Sequence, residues 1–287
     1  VGARRGVVLS STNGAGTSRF ILSGPGTGAL IPDGAGGFSL TLTGTTAASN
    51  VIILAPPGGV MLDAITADAP VGLLVGRAAS VNGNVTLPGG ARTVLLANVS
   101  NASMTFAGAT PMVLSLRDVT DSSIVSNGPL NALLVNSWTN TGNPRSIAAP
   151  SIRVLLDKGN FAGDIAAQSI TTAIIKGDLT GDILAGAAFG PDNEPGGGDD
   201  TFAAGSIGTL FVSGSVNSSL IAAGLNVIDD AFPLSDNDSL IAGSSIRNVV
   251  VSGTLSDDSR VLAATLPARA RLGNTSVVTA SDPRFVL

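Results

Sequence analysis

The chain has 287 residues, with 15 Lys or Arg against 20 Asp or Glu and a net charge of −5. It has no Cys, His or Tyr and a single Trp, Trp138, which excludes disulfides, thiolate metal sites and histidine-dependent chemistry. Only 12% of residues are charged and 3% aromatic, and no apolar run approaches the roughly 18 residues of a membrane-spanning helix, so the core must come from Val, Ile, Leu and Ala stacked as β-structure.

Residues 1–50 read as a separate β-rich module. Gly6–Ser11, Arg19–Ser23 and Phe38–Thr43 are expected strands, divided by Gly-rich turns such as Gly24-Pro25-Gly26. The run Phe38-Ser-Leu-Thr-Leu-Thr43 alternates apolar and polar residues. Such a segment suits an N-terminal cap or docking module, because the end of a stacked β-array exposes unpaired backbone and apolar side chains.

From about residue 51, short apolar strands recur roughly every twenty residues: Val51–Leu54, Gly72–Val75, Thr93–Leu96, Met112–Leu116 and Leu133–Val135. The pattern then sharpens. Four stretches begin with Ser-Ile, at Ser151, Ser169, Ser206 and Ser245. Each carries Gly eight positions on (Gly159, Gly177, Gly214, Gly253) and an apolar residue two later (Phe161, Leu179, Val216, Leu255). A short unit that cannot bury its own apolar side must stack on its neighbours, so this repetition predicts a solenoid over 51–265. Two stacks of inward side chains are expected, one through Ile152, Ile170, Ile207 and Ile246, the other through Phe161, Leu179, Val216 and Leu255. About eight to ten coils at ~4.8 Å each are expected.

The second and third intervals between Ser-Ile starts are longer than the first. The surplus lies in similar segments at 187–205 and 225–244, which leave after an Ala-Gly pair and return into Ser-Ile. Insertions at one position of successive coils should protrude side by side from one edge, and their deletion should leave the coils folded. Residues 266–287 hold two apolar β-segments broken by Pro283, expected as a C-terminal cap or an exchange strand.

The phrase Ser-Ile-x-x-Leu-x-Val-x-Gly-x-Leu-x-x-Ser-Ile-x-Ala resembles the parallel β-helix repeats of large secreted and surface proteins of bacteria. That resemblance implies an all-β parallel β-helix with an N-terminal capping or docking module. It also implies a role as adhesin, stalk or fibre, and it carries over no catalytic residue. The lack of Cys fits an exported protein. The start at Val1 leads us to expect a processed product or part of a longer protein.

Chemistry-bearing residues are few. Asp164 and Asp182 occupy matching phrases and should stack about 5 Å apart. That spacing would suit a retaining glycosidase, but a polar ladder at a turn explains it as well. Pectinase-type β-helix hydrolases would show Gly-His-Gly, which this chain cannot supply. The insertions gather Asp192, Glu194, Asp199, Asp200, Asp229, Asp230, Asp236 and Asp238, hard oxygen ligands that would suit calcium as the one cofactor. Neither insertion matches an EF-hand or the nonapeptide calcium repeat. Glycosylation sequons begin at Asn84, Asn98, Asn101, Asn217, Asn237 and Asn274. No basic cluster with interleaved aromatics appears, so no nucleic-acid partner is expected.

The expectation is therefore an extracellular or cell-surface structural protein with no catalytic residue, joining copies head-to-tail through its ends. Removing 274–287 should then abolish polymers but leave the solenoid folded. A polysaccharide-active lyase or hydrolase and a calcium- or glycan-binding module are the alternatives.

Overall fold

In a computed structural model the chain is nearly all β, with 62% of residues in strands, and forms a parallel β-solenoid of about 11 turns. The structure describes residues 7–13, 16–32, 37–141, 146–190, 199–227 and 238–287. The chain divides into two compact units, 1–131 and 132–287.

The first unit opens with antiparallel pairing. Strand β1 (Val7–Asn13) pairs with β2 (Gly16–Ser23), and β3 (Thr27–Pro32) pairs with β4 (Phe38–Thr43). The hairpins then join two sheets: β2 runs antiparallel to β5 (Asn50–Leu54), and β4 runs parallel to β6 (Val60–Ala67). From β5 and β6 onward every described pairing in this unit is parallel, as the twenty-residue spacing requires. Strand β3 was not expected, since Gly28 and Pro32 weaken local β-propensity. Its partner β4 alternates inward and outward residues, and pairing with it overrides that weakness.

In the second unit each coil has two long faces and a short arm. One face stacks Ser151–Asp157, Ser169–Ile175, Ser206–Val212 and Ser245–Val251 in register, with Ile152, Ile170, Ile207 and Ile246 in one column. The arm stacks Trp138, Phe161, Leu179, Val216 and Leu255 through single parallel bridges. All nine of these side chains are buried. The other face stacks Ser146–Ala149, Asp164–Ala167, Ile183–Ala185, Leu220–Ala223 and Arg260–Ala263. Each fully buried Ile, Leu or Phe contributes about 1.5–3 kcal/mol, and repetition multiplies that along every column.

The repeat glycine has a steric cause. Gly177 donates its N–H to the Gly159 carbonyl, Gly214 to that of Gly177, and Gly253 to that of Gly214. A Cβ on Gly177 would lie 2.4 Å from the Gly159 oxygen, so consecutive turns close only without side chains at this corner.

The solenoid's last strands are covered from within the chain. Arg269–Leu272 forms a hairpin with Thr275–Val278 and adds to the face ending at Val251, while Phe285–Val286 adds to the face ending at Val261. Arg284 fastens this tail, pairing with Asp282 at 2.6 Å and donating to the Leu255 carbonyl at 2.7 Å. Phe285 is buried beneath the final coil.

Candidate functional site

Both insertions leave the second unit at one corner. That corner is the single residue Pro150 or Gln168 in the preceding coils. Here it opens at Gly186 and Gly224, and closes on hydrogen bonds of the same form, Ala203 N–H to Gly186 O and Ile241 N–H to Gly224 O, both 2.7 Å. Positive φ at Gly186 (+90°) and Gly224 (+62°) turns the chain out of the coil, where a side chain would be strained.

The insertions do not merely protrude. Their stems form two antiparallel ribbons, Ala187–Ala188 with Thr201–Phe202 and Leu225–Asn226 with Ser239–Leu240. Phe189, Phe202 and Leu240 pack over the outward residues Ala166, Leu184, Ala222 and Leu262, which are thereby buried. A second apolar core thus sits outside the solenoid. Its signal was present in the sequence: Ile183-Leu-Ala185 and Leu220-Ile-Ala-Ala223 are continuously apolar, the mark of strands covered on both faces.

Of the calcium candidates, Asp199, Asp200 and Asp238 belong to the described residues. Asp192, Glu194, Asp229, Asp230 and Asp236 lie outside them, as does Asn237. Asp200 accepts the Gly190 N–H at 3.0 Å, and a Cβ at Gly190 would require the neighbouring Asp199 carboxylate to shift. Among the described residues no three acidic side chains converge as metal ligands.

Asp164 and Asp182 do stack on adjacent coils, since Ile165 pairs with Ile183. Each carboxylate reaches to the following coil. Asp164 Oδ1 accepts the Asp182 N–H at 2.8 Å, and Asp182 Oδ1 accepts the Leu220 N–H at 2.7 Å. A parallel ladder runs beside them, with Asp178 N–H donating to Asn160 Oδ1 and Ser215 N–H to Asp178 Oδ1. These side chains pin one coil to the next. Burial raises the pKa of Asp164 against the stabilising backbone N–H. Burial, reinforced by the charge of Asp164, pushes Asp182 up to about 6 despite the Leu220 N–H.

The sequon residues occupy turns and outward positions. Asn84, Asn98, Asn101 and Asn274 are exposed and Asn217 half-buried. Two of them also carry ladder contacts: Asn84 Oδ1 accepts the Ser103 N–H, and Asn101 Nδ2 donates to Asn82 Oδ1.

The exposed apolar residues are unevenly placed. Among the described residues the large ones are Val8, Ile31, Leu54 and Met61 in the opening strands, and Val278, Val286 and Leu287 in the closing ones. Among the described residues, strands β1 and β3 in the first unit and Thr275–Val278 in the second each pair with one strand. An open hollow of about 460 Å³ lies beside Thr275–Val278, lined by Asp257, Val277, Val278, Ser281, Asp282 and Arg284 together with Pro283.

The class these features define is the parallel β-solenoid with a covered outer face. The chain matches no protein-family model, no curated protein and no solved structure.

Proposed function

We propose that this chain is a structural subunit or segment of an extracellular or cell-surface fibre, sheath or adhesin stalk, and that it joins copies head-to-tail through its ends. One observation carries the reading. Every large exposed apolar side chain among the described residues lies within 8–61 or 278–287, and none lies in the coils between. Edge strands with free backbone groups and apolar neighbours pair readily with another chain, and contact between unlike surfaces propagates instead of closing. The coils supply a stiff repeat, in which Asp164, Asp178 and Asp182 pin coil to coil.

The tail 274–287 is a poor target for the test, because it covers Val261 and Leu262 and its loss would bare the core. Single charges on the edges serve better. Wild-type protein should sediment as concentration-dependent polymers, while Ile31→Lys and Val278→Lys should each yield monomers with unchanged thermal stability. Wild-type protein that stays monomeric at high concentration, or variants that still polymerise, would overturn the proposal.

A further inference from the structure

We infer that the uncovered long face of the second unit, built on Ser151–Asp157, Ser169–Ile175, Ser206–Val212 and Ser245–Val251, binds an acidic polysaccharide lying along the stack. The inference goes beyond end-to-end assembly and does not depend on it.

Charge segregation carries the argument. The protein is acidic overall, yet of the eight described Lys and Arg residues in this unit six sit on this sheet or directly after its strands: Arg153, Lys158, Lys176, Arg247, Arg269 and Arg271. All six are exposed, and among the described residues none makes an ion pair. The remaining two lie at the other face and the tail, Arg260 bonded to backbone carbonyls and Arg284 paired with Asp282; of the six, Arg271 also donates to the Gly273 carbonyl. The one acidic residue in these strands, Asp157, is buried and accepts the Gly159 N–H. Positive charge on four of the five rungs, the exception being Ser206–Val212, with no exposed carboxylate in the four strands is what a polyanion requires.

Between the cations runs an outward apolar ladder, Leu156, Ile174, Phe211 and Val250, in register and half-buried. Lys176 lies over the Phe211 ring, 5.3 Å from its centre, which holds one ammonium beside the ladder. Sugar rings present apolar C–H faces as well as charge, so ladder and flanking cations match a uronic-acid polymer on both counts.

Charge density separates this ligand from nucleic acid. Duplex DNA carries a negative charge about every 1.7 Å. The face offers six cations over five rungs ~4.8 Å apart, two at each end rung and none on Ser206–Val212. A polysaccharide with one carboxylate per sugar has a spacing of the rung's order, and one long flat molecule then meets the cations on both sides of the Ser206–Val212 rung without bending.

The test uses the full chain with polygalacturonate as probe and dextran, duplex DNA and phosphatidylserine vesicles as comparisons. Affinity electrophoresis or calorimetry at low salt should show binding to polygalacturonate that weakens steeply as salt is added. The quadruple variant Arg153→Gln, Lys158→Gln, Lys176→Gln, Arg247→Gln should bind at least tenfold more weakly with unchanged thermal stability, while Arg260→Gln should bind as wild type. Any of the following would overturn the inference: no binding to polygalacturonate, equal binding to neutral dextran, tighter binding to DNA or vesicles, or full binding by the quadruple variant.

Discussion

The two long faces of the second unit come from the same coils, yet their outer surfaces have opposite fates. On one, Ala166, Leu184, Ala222 and Leu262 lie under the insertion stems and are shielded from water. On the other, Leu156, Ile174, Phe211 and Val250 form an equally regular apolar ladder that nothing else in the described chain covers and that remains half-exposed among cations. A solenoid coil has a fixed inner side, so its chemistry is varied only outside, by what is inserted at the corners. Here the corner insertions complete one face as structure and leave the other as surface.

The sharpest test places the same charge on both faces. Leu184→Asp would bury a carboxylate beneath Phe189 and Phe202, and it should cost about 3–5 kcal/mol or prevent folding. Ile174→Asp points into solvent beside Lys176 and should cost at most about 1 kcal/mol. Urea denaturation of both variants reads the difference, and equal costs would mean that the ribbons do not cover their face.

Next in size is excision of 187–205, which leaves Gly186 as a one-residue corner like the one Gln168 forms. Sequence reasoning expects such excision to leave the coils folded. The structure adds a loss of about 2–4 kcal/mol, because Leu184, Ala222 and Leu225 lose cover worth about 1.5–3 kcal/mol for each fully exposed large side chain. The coils should persist by circular dichroism while the altered protein gains binding of a hydrophobic dye. Unchanged stability would restore the simpler picture of a loop that merely projects.

These contrasts show which features were legible in the sequence. The inward columns were, because Ile152, Ile170, Ile207 and Ile246 must occupy one buried line and a slip of one residue would turn them outward. The spacing of the repeat glycine was visible, and its cause emerged only from the contact between Gly177 and the Gly159 carbonyl. The folding back of the insertions was signalled only by the continuously apolar strands beneath them, because the many acidic residues of the insertions point to solvated loops and mask apolar ones such as Phe189, Phe202, Leu225 and Leu240. The basic face was invisible for a different reason. Its cations are scattered singly between Arg153 and Arg271, and only the coil period brings them to one surface.

The smallest expected effect concerns the pins between coils. Asp182 titrates at about 6 in the folded protein, against 3.8 for an ordinary aspartate. The folded state therefore binds this proton more tightly than the unfolded chain does. The associated stability is fully present below about pH 4, is lost as the pH rises through about 6, and does not return above that. A two-unit rise corresponds to about 3 kcal/mol if it belonged to Asp182 alone, and sharing with Asp164 reduces the part that one substitution removes to about 1–2 kcal/mol. Asp182→Asn keeps an oxygen to accept the Leu220 N–H and removes the titration. Relative to wild type the variant should thus gain about 1–2 kcal/mol between pH 4 and pH 7. The lowered carboxyls Asp258 and Asp282 act in the opposite sense but are common to both proteins and cancel in the comparison. Denaturant midpoints measured for the pair across that range decide the matter. A difference that stays flat, or that moves against the variant as pH rises, would show that Asp182 is held as an ordinary ionised surface carboxylate and not as a buried pin.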